Sequence, residues 1–205
     1  MVTIEKLVFL EKQQTEEAAK TLTPEDISFL VNLLNEKDDK IRYAALLLLQ
    51  SRSAGFGDVY PYWDVFLQKL NSDNSYQRSI GLMLIAENAR WDTENRMEDT
   101  LDVFLEILND EKPITVRQCI QALHRIIPYK KHLTEKIADA LISIEITKNR
   151  PSMQKSILTD ILSVLGAIRK QQPSGKIDAN IFQALSADIL DRKAKKEIEK
   201  MMAGQ

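Results

Sequence analysis

The sequence predicts an all-α fold: a right-handed α–α superhelix of about four helix pairs, with capping helices at both ends. Three observations carry this. A short signature recurs as Leu34 and Asn35 with Arg42, Leu70 and Asn71 with Arg78, and Leu108 and Asn109 with Arg117. A degenerate fourth copy puts Lys155 in the basic slot, so the steps are 36, 39 and 38 residues. Between these marks the apolar residues keep helical spacing, and glycine and proline number only six each, few for a loop-rich or all-β chain. A repeat of that length over a helical pattern denotes stacked two-helix units that share one hydrophobic interior. The chain reads as a single domain over 1–205, with an N-terminal helix in 1–22, four pairs over 23–170, and a linker with capping helices over 171–205.

Residues 2–20 show an amphipathic helical pattern, with Ile4, Leu7 and Val8 on one side and Glu16, Glu17 and Lys20 closing it. Thr23, Pro24, Glu25 and Asp26 then form a start signal: a capping hydroxyl, a proline suited to the first helical position, and two acids at the positive end of the helix dipole. The first helices of the pairs are expected near 24–35, 58–71, 94–109 and 132–146, and the second near 39–53, 75–90, 113–127 and 152–170. Four positions before each basic slot stand Asp38, Asn74, Pro113 and Pro151, so the second helix starts twice on a capping side chain and twice on proline. Asn35, Asn71 and Asn109 fall where first helices end, and asparagine tolerates the left-handed conformation common there. The loop-like run 171–175 separates the array from 177–190 and 191–202, one bent helix or two short ones.

Composition narrows the function classes. Hydrophobic residues are 44% and the net charge is −2, so the chain is foldable and has no global cationic excess of the kind nucleic-acid binders carry. One cysteine, Cys119, permits no internal disulfide, and no apolar run approaches the roughly 20 residues a membrane span requires. With no signal-peptide pattern at the N-terminus, the expected location is the cytoplasm.

The turn aspartates and the arginine near the start of each second helix resemble the HEAT-repeat superfamily of armadillo/HEAT-like α-solenoids over about residues 24–170. Ile41 and Arg42 follow Asp38 and Asp39, Arg78 follows Asp73, and Val116 and Arg117 follow Asp110. The resemblance implies a structural ladder between repeats built from Arg42, Arg78 and Arg117 with Asp39, Asp73 and Asp110 as partners. The fourth pair departs from the pattern with Lys155. The stretches 85–92 and 110–119 are also similar to a small group of uncharacterised bacterial HEAT-like proteins, some bearing an iron–sulfur-assembly label that a chain with one cysteine does not support.

Solenoids of this kind use a concave face lined by the second helices, and positions one, four and eight after each basic slot are expected to line it. These are Tyr43, Leu46 and Gln50; Ser79, Leu82 and Ala86, with Arg90 a turn on; Gln118, Gln121 and Arg125; and Ser156, Thr159 and Ser163. Positions two and six (Ala44, Leu48; Ile80, Leu84; Cys119, Leu123; Ile157, Ile161) read as core. Such a face suits non-catalytic recognition of a protein or peptide, with no cofactor, no metal and no catalytic residues, by a monomer or weak homo-oligomer. An aromatic cluster adds a second candidate contact: Phe56, Tyr60, Tyr62, Trp63 and Phe66 are five of the 13 aromatics within eleven residues. The rival reading is a nucleic-acid binder resembling the HEAT-like alkylpurine DNA glycosylases, for which Trp91, Asp92, Arg90 and Arg125 would serve. Against it, Trp91 and Asp92 have a plain structural use, the one closing a helix and the other capping the next. His124 and His132 are eight apart across Pro128, unlike zinc-ligand spacing. The basic tail Arg192, Lys193, Lys195, Lys196 and Lys200 is tempered by Glu197 and Glu199 and reads as a solvated helix face.

Overall fold

The computed structural model describes residues 2–10 and 14–202, and every regular element among them is helical. In chain order the helices are α1 (Ile4–Val8), α2 (Thr15–Lys20), α3 (Pro24–Leu33), α4 (Asp39–Gly55), α5 (Trp63–Leu70) and α6 (Ser75–Asn88). They continue as α7 (Arg96–Glu106), α8 (Pro113–Ile126), α9 (Thr134–Ile142), α10 (Pro151–Gln171), α11 (Gly175–Ser186) and α12 (Arg192–Met202). Four pairs thus lie where the repeat places them: α3 with α4, α5 with α6, α7 with α8, and α9 with α10. No helix among the described residues is long and apolar enough to cross a membrane.

The second helices begin by the two chemistries expected. The Asp38 carboxylate accepts the Lys40 backbone N–H at 2.8 Å, and the Asn74 side chain accepts that of Tyr76 at 2.9 Å. Pro113 and Pro151 are the first residues of α8 and α10. Thr23 and Asp26 form a reciprocal capping box at the start of α3.

Two local expectations are corrected. Residues 2–20 hold two helices, because Leu7 and Ala19 are both buried and α1 and α2 both pack on α4. On one straight helix those two side chains would point about 120° apart. The asparagines at the first-helix ends are not left-handed: the only positive-φ residue other than glycine among the described ones is Asn95. Instead the ends tighten, with Asn35 N–H donating to the Asn32 carbonyl and Asn71 N–H to that of Gln68. Asn35 instead serves the next pair, its side-chain oxygen accepting the Lys69 ammonium at 2.7 Å.

The chain divides into two compact units, Met1–Thr100 and Leu101–Gln205, with the boundary inside α7. In the first, α1, α2, α3 and α6 pack on α4, and α5 packs on α6. Leu30, Leu34, Leu49, Trp63, Phe66 and Leu82 are fully buried there. Gly81 allows the α5–α6 approach, since a Cβ at that position would stand 2.6 Å from the Phe66 carbonyl oxygen. Arg52 ties the N-terminal segment down. It donates through Nη1 to the carbonyls of Ala19 (3.0 Å) and Lys20 (2.9 Å), grips Asp58 through Nε and Nη2, and stacks 3.7 Å over the Phe56 ring. Lys69 is buried with its ammonium between the Asn35 and Gln77 side-chain oxygens. Burial, with Arg42 nearby, pushes its pKa down to about 8.

In the second unit α8, α9, α11 and α12 all pack on α10. Its core includes Phe104, Ile120, Leu123, Ile137, Ile157 and Leu165. Cys119 is part of that core: its thiol points at the Phe104 carbonyl at 3.3 Å, and burial pushes its pKa up, away from nucleophilic use.

Candidate binding face

The second helices supply the outward stripes. In the first unit α4 and α6 run side by side in parallel, joined near both ends. The Arg42 guanidinium lies 5.6 Å over the Tyr76 ring, and Arg90 donates to the Ala54 carbonyl. On α4, Tyr43, Leu47, Gln50 and Ala54 follow one another at steps of three and four and all keep exposure. On α6 the matching stripe is Tyr76, Met83 and, in the turn after it, Arg90. Tyr43 and Tyr76 are the prominent members, at 59% and 65% exposure.

This corrects the stripe read from sequence. Leu46, Ser79, Leu82 and Ala86 are buried, while Tyr43, Gln50 and Arg90 keep exposure. The shift arises because α4 and α6 pack on neighbours over a wide arc, which takes the fourth position inward and leaves the fifth, Leu47 and Met83, at the surface. Of the expected core positions all but Ala44 are buried. Tyr76 went unnoticed because it precedes the basic slot. Its partner Arg42 was the available signal.

In the second unit, taken by itself, the second-helix face is polar. Asp160 on α10 accepts from Arg117 Nε at 2.6 Å and from Gln121 Nε2 at 3.1 Å, both on α8. One turn on, His124 Nε2 meets Ser163 Oγ at 3.0 Å. Gln121 and Arg125 are exposed, whereas Gln118, Ser156, Thr159 and Ser163 are half-buried. Burial lowers the His124 pKa, and the Asp160 charge partly opposes the shift. A histidine beside a serine suggests nucleophile activation, but both Asp160 oxygens are engaged by Arg117 and Gln121.

The slot arginines are used in three ways. Arg42 pairs with Asp39 and donates to the Glu36 carbonyl at 2.7 Å. Arg78 donates to the backbone carbonyls of Ser72 (2.7 Å) and Asp73 (3.0 Å), so it meets Asp73 through the main chain. Arg117 reaches forward to Asp160, while the Asp110 carboxylate accepts the Lys112 backbone N–H at 2.8 Å. Lys155 pairs with Asp191.

The aromatic cluster is largely inward. Trp63 is fully buried, its indole N–H donating to Thr100 Oγ1 at 3.0 Å, so it offers a partner no surface. Tyr60 is half-buried, edge-on to Trp63, and its hydroxyl donates to Asp92 at 2.9 Å. Burial and that bond raise its pKa. Tyr62 is half-buried. Trp91 donates to the Ser53 carbonyl at 2.7 Å and lies against Gly57. Buried Asp92 accepts the backbone N–H groups of Arg96 and Met97, both at 2.9 Å, and so caps α7. No group of three or more His, Cys, Asp or Glu side chains among the described residues is placed to hold a metal.

Solved structures share this fold. A designed armadillo repeat protein aligns at TM-score 0.55 and 12% identity, over 98% of this chain and 97% of that one. Another designed armadillo repeat protein, in complex with the peptide (KR)4, aligns at TM-score 0.58 and 9% identity, over 98% of this chain and 89% of the other. An engineered protein aligns at TM-score 0.56 and 18% identity, over 99% and 98%. The fold is therefore that of an armadillo/HEAT-like helical-repeat solenoid. No protein-family model and no curated protein matches the sequence, so the likeness to a small bacterial group has no support.

Proposed function

We propose that this protein is a non-catalytic recognition scaffold of the cytoplasm that binds a peptide segment of another protein on its second-helix faces. The observation that carries the reading is the pair Tyr43 and Tyr76, large side chains left exposed on parallel neighbouring helices with no duty in the core. Tyrosine supplies contact area at low conformational cost, which makes it a common interface anchor. Gln50, two turns further along the same stripe of α4, offers an amide to the backbone of an extended chain. One solved structure of the same fold is a designed armadillo repeat protein holding a peptide, which agrees with this use.

Arg42, Arg78 and Arg117 act in this reading as register-holding residues, with Asp39, Asp73 and Asp110 shaping the turns. The glycosylase-like alternative loses its motive, because Trp91 and Asp92 are committed to Ser53 and to the start of α7. The test is panning of a displayed random-peptide library on the full chain. Peptides enriched by the wild type are expected to be lost with the Tyr43→Ala, Tyr76→Ala double variant. Equal enrichment by that variant, or none by the wild type, rejects the reading.

A further inference from the structure

In the first unit α1 and α2 cover α4 where a preceding pair would otherwise pack. The terminal members of a stacked array need a polar outer surface. This one is apolar instead: Ile4, Val8 and Phe9 are 40%, 43% and 83% exposed. A hollow of about 570 Å3 opens between α1 and the start of α3, lined by Val2, Ile4 and Phe29 and by the exposed Glu5 and Glu25. Asp26, which also borders it, is buried and accepts the Val2 backbone N–H, so the exposed charge there belongs to the two glutamates. Neither glutamate is paired with a cation among the described residues. In the second unit the last helix is the opposite. At about 100° per residue, Arg192, Lys193, Lys196 and Lys200 share one arc of α12, opposite the buried Ala194 and Ile198. All four are exposed and none has a carboxylate partner among the described residues, because Asp191 is held by Lys155. The difference in sign extends to the whole segments: residues 2–29 hold six carboxylates against three lysines, and residues 190–202 hold five cations against three carboxylates.

From this we infer that the apolar hollow of the first unit receives a second copy of the chain, which docks on it through the basic stripe of α12. Lysine and arginine suit such a surface, because their aliphatic stems cover apolar side chains while the charged heads reach past them. The stems of Lys196 and Lys200 would lie on Ile4 and Val8, and their ammonium groups would meet Glu5 and Glu25. On α11, which packs on α10 as α12 does, Phe182 is 73% exposed and adds an apolar side chain to the C-terminal segment. The contact joins two different patches, so it is heterologous: each bound copy keeps one patch of each kind open and further copies can add. Other partners answer one patch and leave the second unexplained. An anionic lipid surface would engage α12 and leave Ile4, Val8 and Phe9 in water. Nucleic acid would do the same, and four cations fall short of the six or more phosphate contacts of a typical binder. A second copy accounts for both patches at once.

The experiment uses the full chain in sedimentation velocity over a range of concentrations, at low and high salt. The average mass is expected to rise with concentration beyond one chain, and added salt to weaken the association. A Glu5→Lys, Glu25→Lys variant and an Arg192→Glu, Lys196→Glu variant should each associate at least about tenfold more weakly than the wild type. An equal mixture of the two should associate again, because each retains the patch the other has lost; that recovery also shows that both variants are folded. A Val8→Ser, Phe9→Ser variant should lose association without any change of charge. Carbodiimide coupling of a mixture of 14N and 15N chains should join Lys193, Lys196 or Lys200 of one isotope to Glu5 or Glu25 of the other. A single-chain mass at every concentration overturns the inference, as does association that survives both reversals. Loss in only one variant, with no recovery on mixing, overturns it in favour of a symmetric contact. Couplings confined to chains of one isotope overturn it in favour of a contact within the chain. Pelleting of the wild type with phosphatidylserine vesicles, lost in the α12 variant and accompanied by no self-association, overturns it in favour of a lipid surface. The peptide-binding reading of Tyr43 and Tyr76 stands apart from all of these outcomes.

Discussion

Arg52 is the residue whose removal gives the sharpest test of how the first unit is held. The residue is 8% exposed, and its donors go to two backbone carbonyls of the α2 end and to both oxygens of Asp58. Arg52→Ala strips the two carbonyls of their donor at about 1 kcal/mol each. The Asp58 side chain is 38% exposed, so water screens the ion pair and its loss adds about 1 kcal/mol rather than a buried-pair value. Lost stacking on Phe56 adds a fraction to about 1 kcal/mol. The total is about 3 kcal/mol, equivalent to roughly 6–12 °C in Tm for a chain of this size. Thermal and urea unfolding followed by circular dichroism measure it. Arg52→Lys should recover only part, because an ammonium cannot fork onto Asp58 while serving Ala19 and Lys20. Asp58→Ala should cost less than half as much. Amide exchange in α2 should quicken in Arg52→Ala and not in Asp58→Ala. A cost below about 1 kcal/mol for Arg52→Ala, or equal costs for the two alanine variants, would refute the account of the carbonyl contacts.

Lys69 makes stability depend on pH. Its folded pKa of about 8 lies below the ordinary lysine value of 10.5, so the unfolded chain binds more protons between those values and wild-type stability rises with pH there. The wild-type minus Lys69→Gln difference in urea unfolding free energy should therefore grow from pH 8 to pH 10.5; a flat or falling difference rejects the depressed pKa. Gly81→Ala should destabilise by about 2 kcal/mol or more, against the ~1 kcal/mol helix-propensity gain expected at an open site, because its Cβ meets the Phe66 backbone. A stabilised variant in chemical denaturation would show that α5 and α6 can separate at no cost. Trp91→Phe should lose about 1 kcal/mol by removing the donor to the Ser53 carbonyl, and should leave duplex DNA binding unchanged in a gel-shift assay.

The architecture was readable because its cues are local. Asp38, Asn74, Pro113 and Pro151 each start a helix through chemistry within a few residues, and the basic slots mark that chemistry at intervals of 36 to 39 residues. The binding face was less readable. Whether Leu46 or Leu47 meets solvent depends on how wide an arc of α4 its neighbours cover, and one helical position is about 100°. The partner of Arg117 was missed for a similar reason: Asp160 is 43 residues away, while Asp110 stood seven residues off in the expected motif. Trp63 illustrates the same limit, since an aromatic cluster does not declare which ring turns inward until Thr100 is seen receiving its N–H.

The two ways of starting a second helix have unequal effects on the open chain. Asp38 and Asn74 contribute only after their turns have closed around them, so they leave the unfolded ensemble unrestricted. Pro113 and Pro151 narrow φ beforehand, and part of the entropy of forming α8 and α10 is already absent from the denatured state. Exchanging the two kinds of start would consequently move the restriction of the denatured chain into the first half and the side-chain caps into the second.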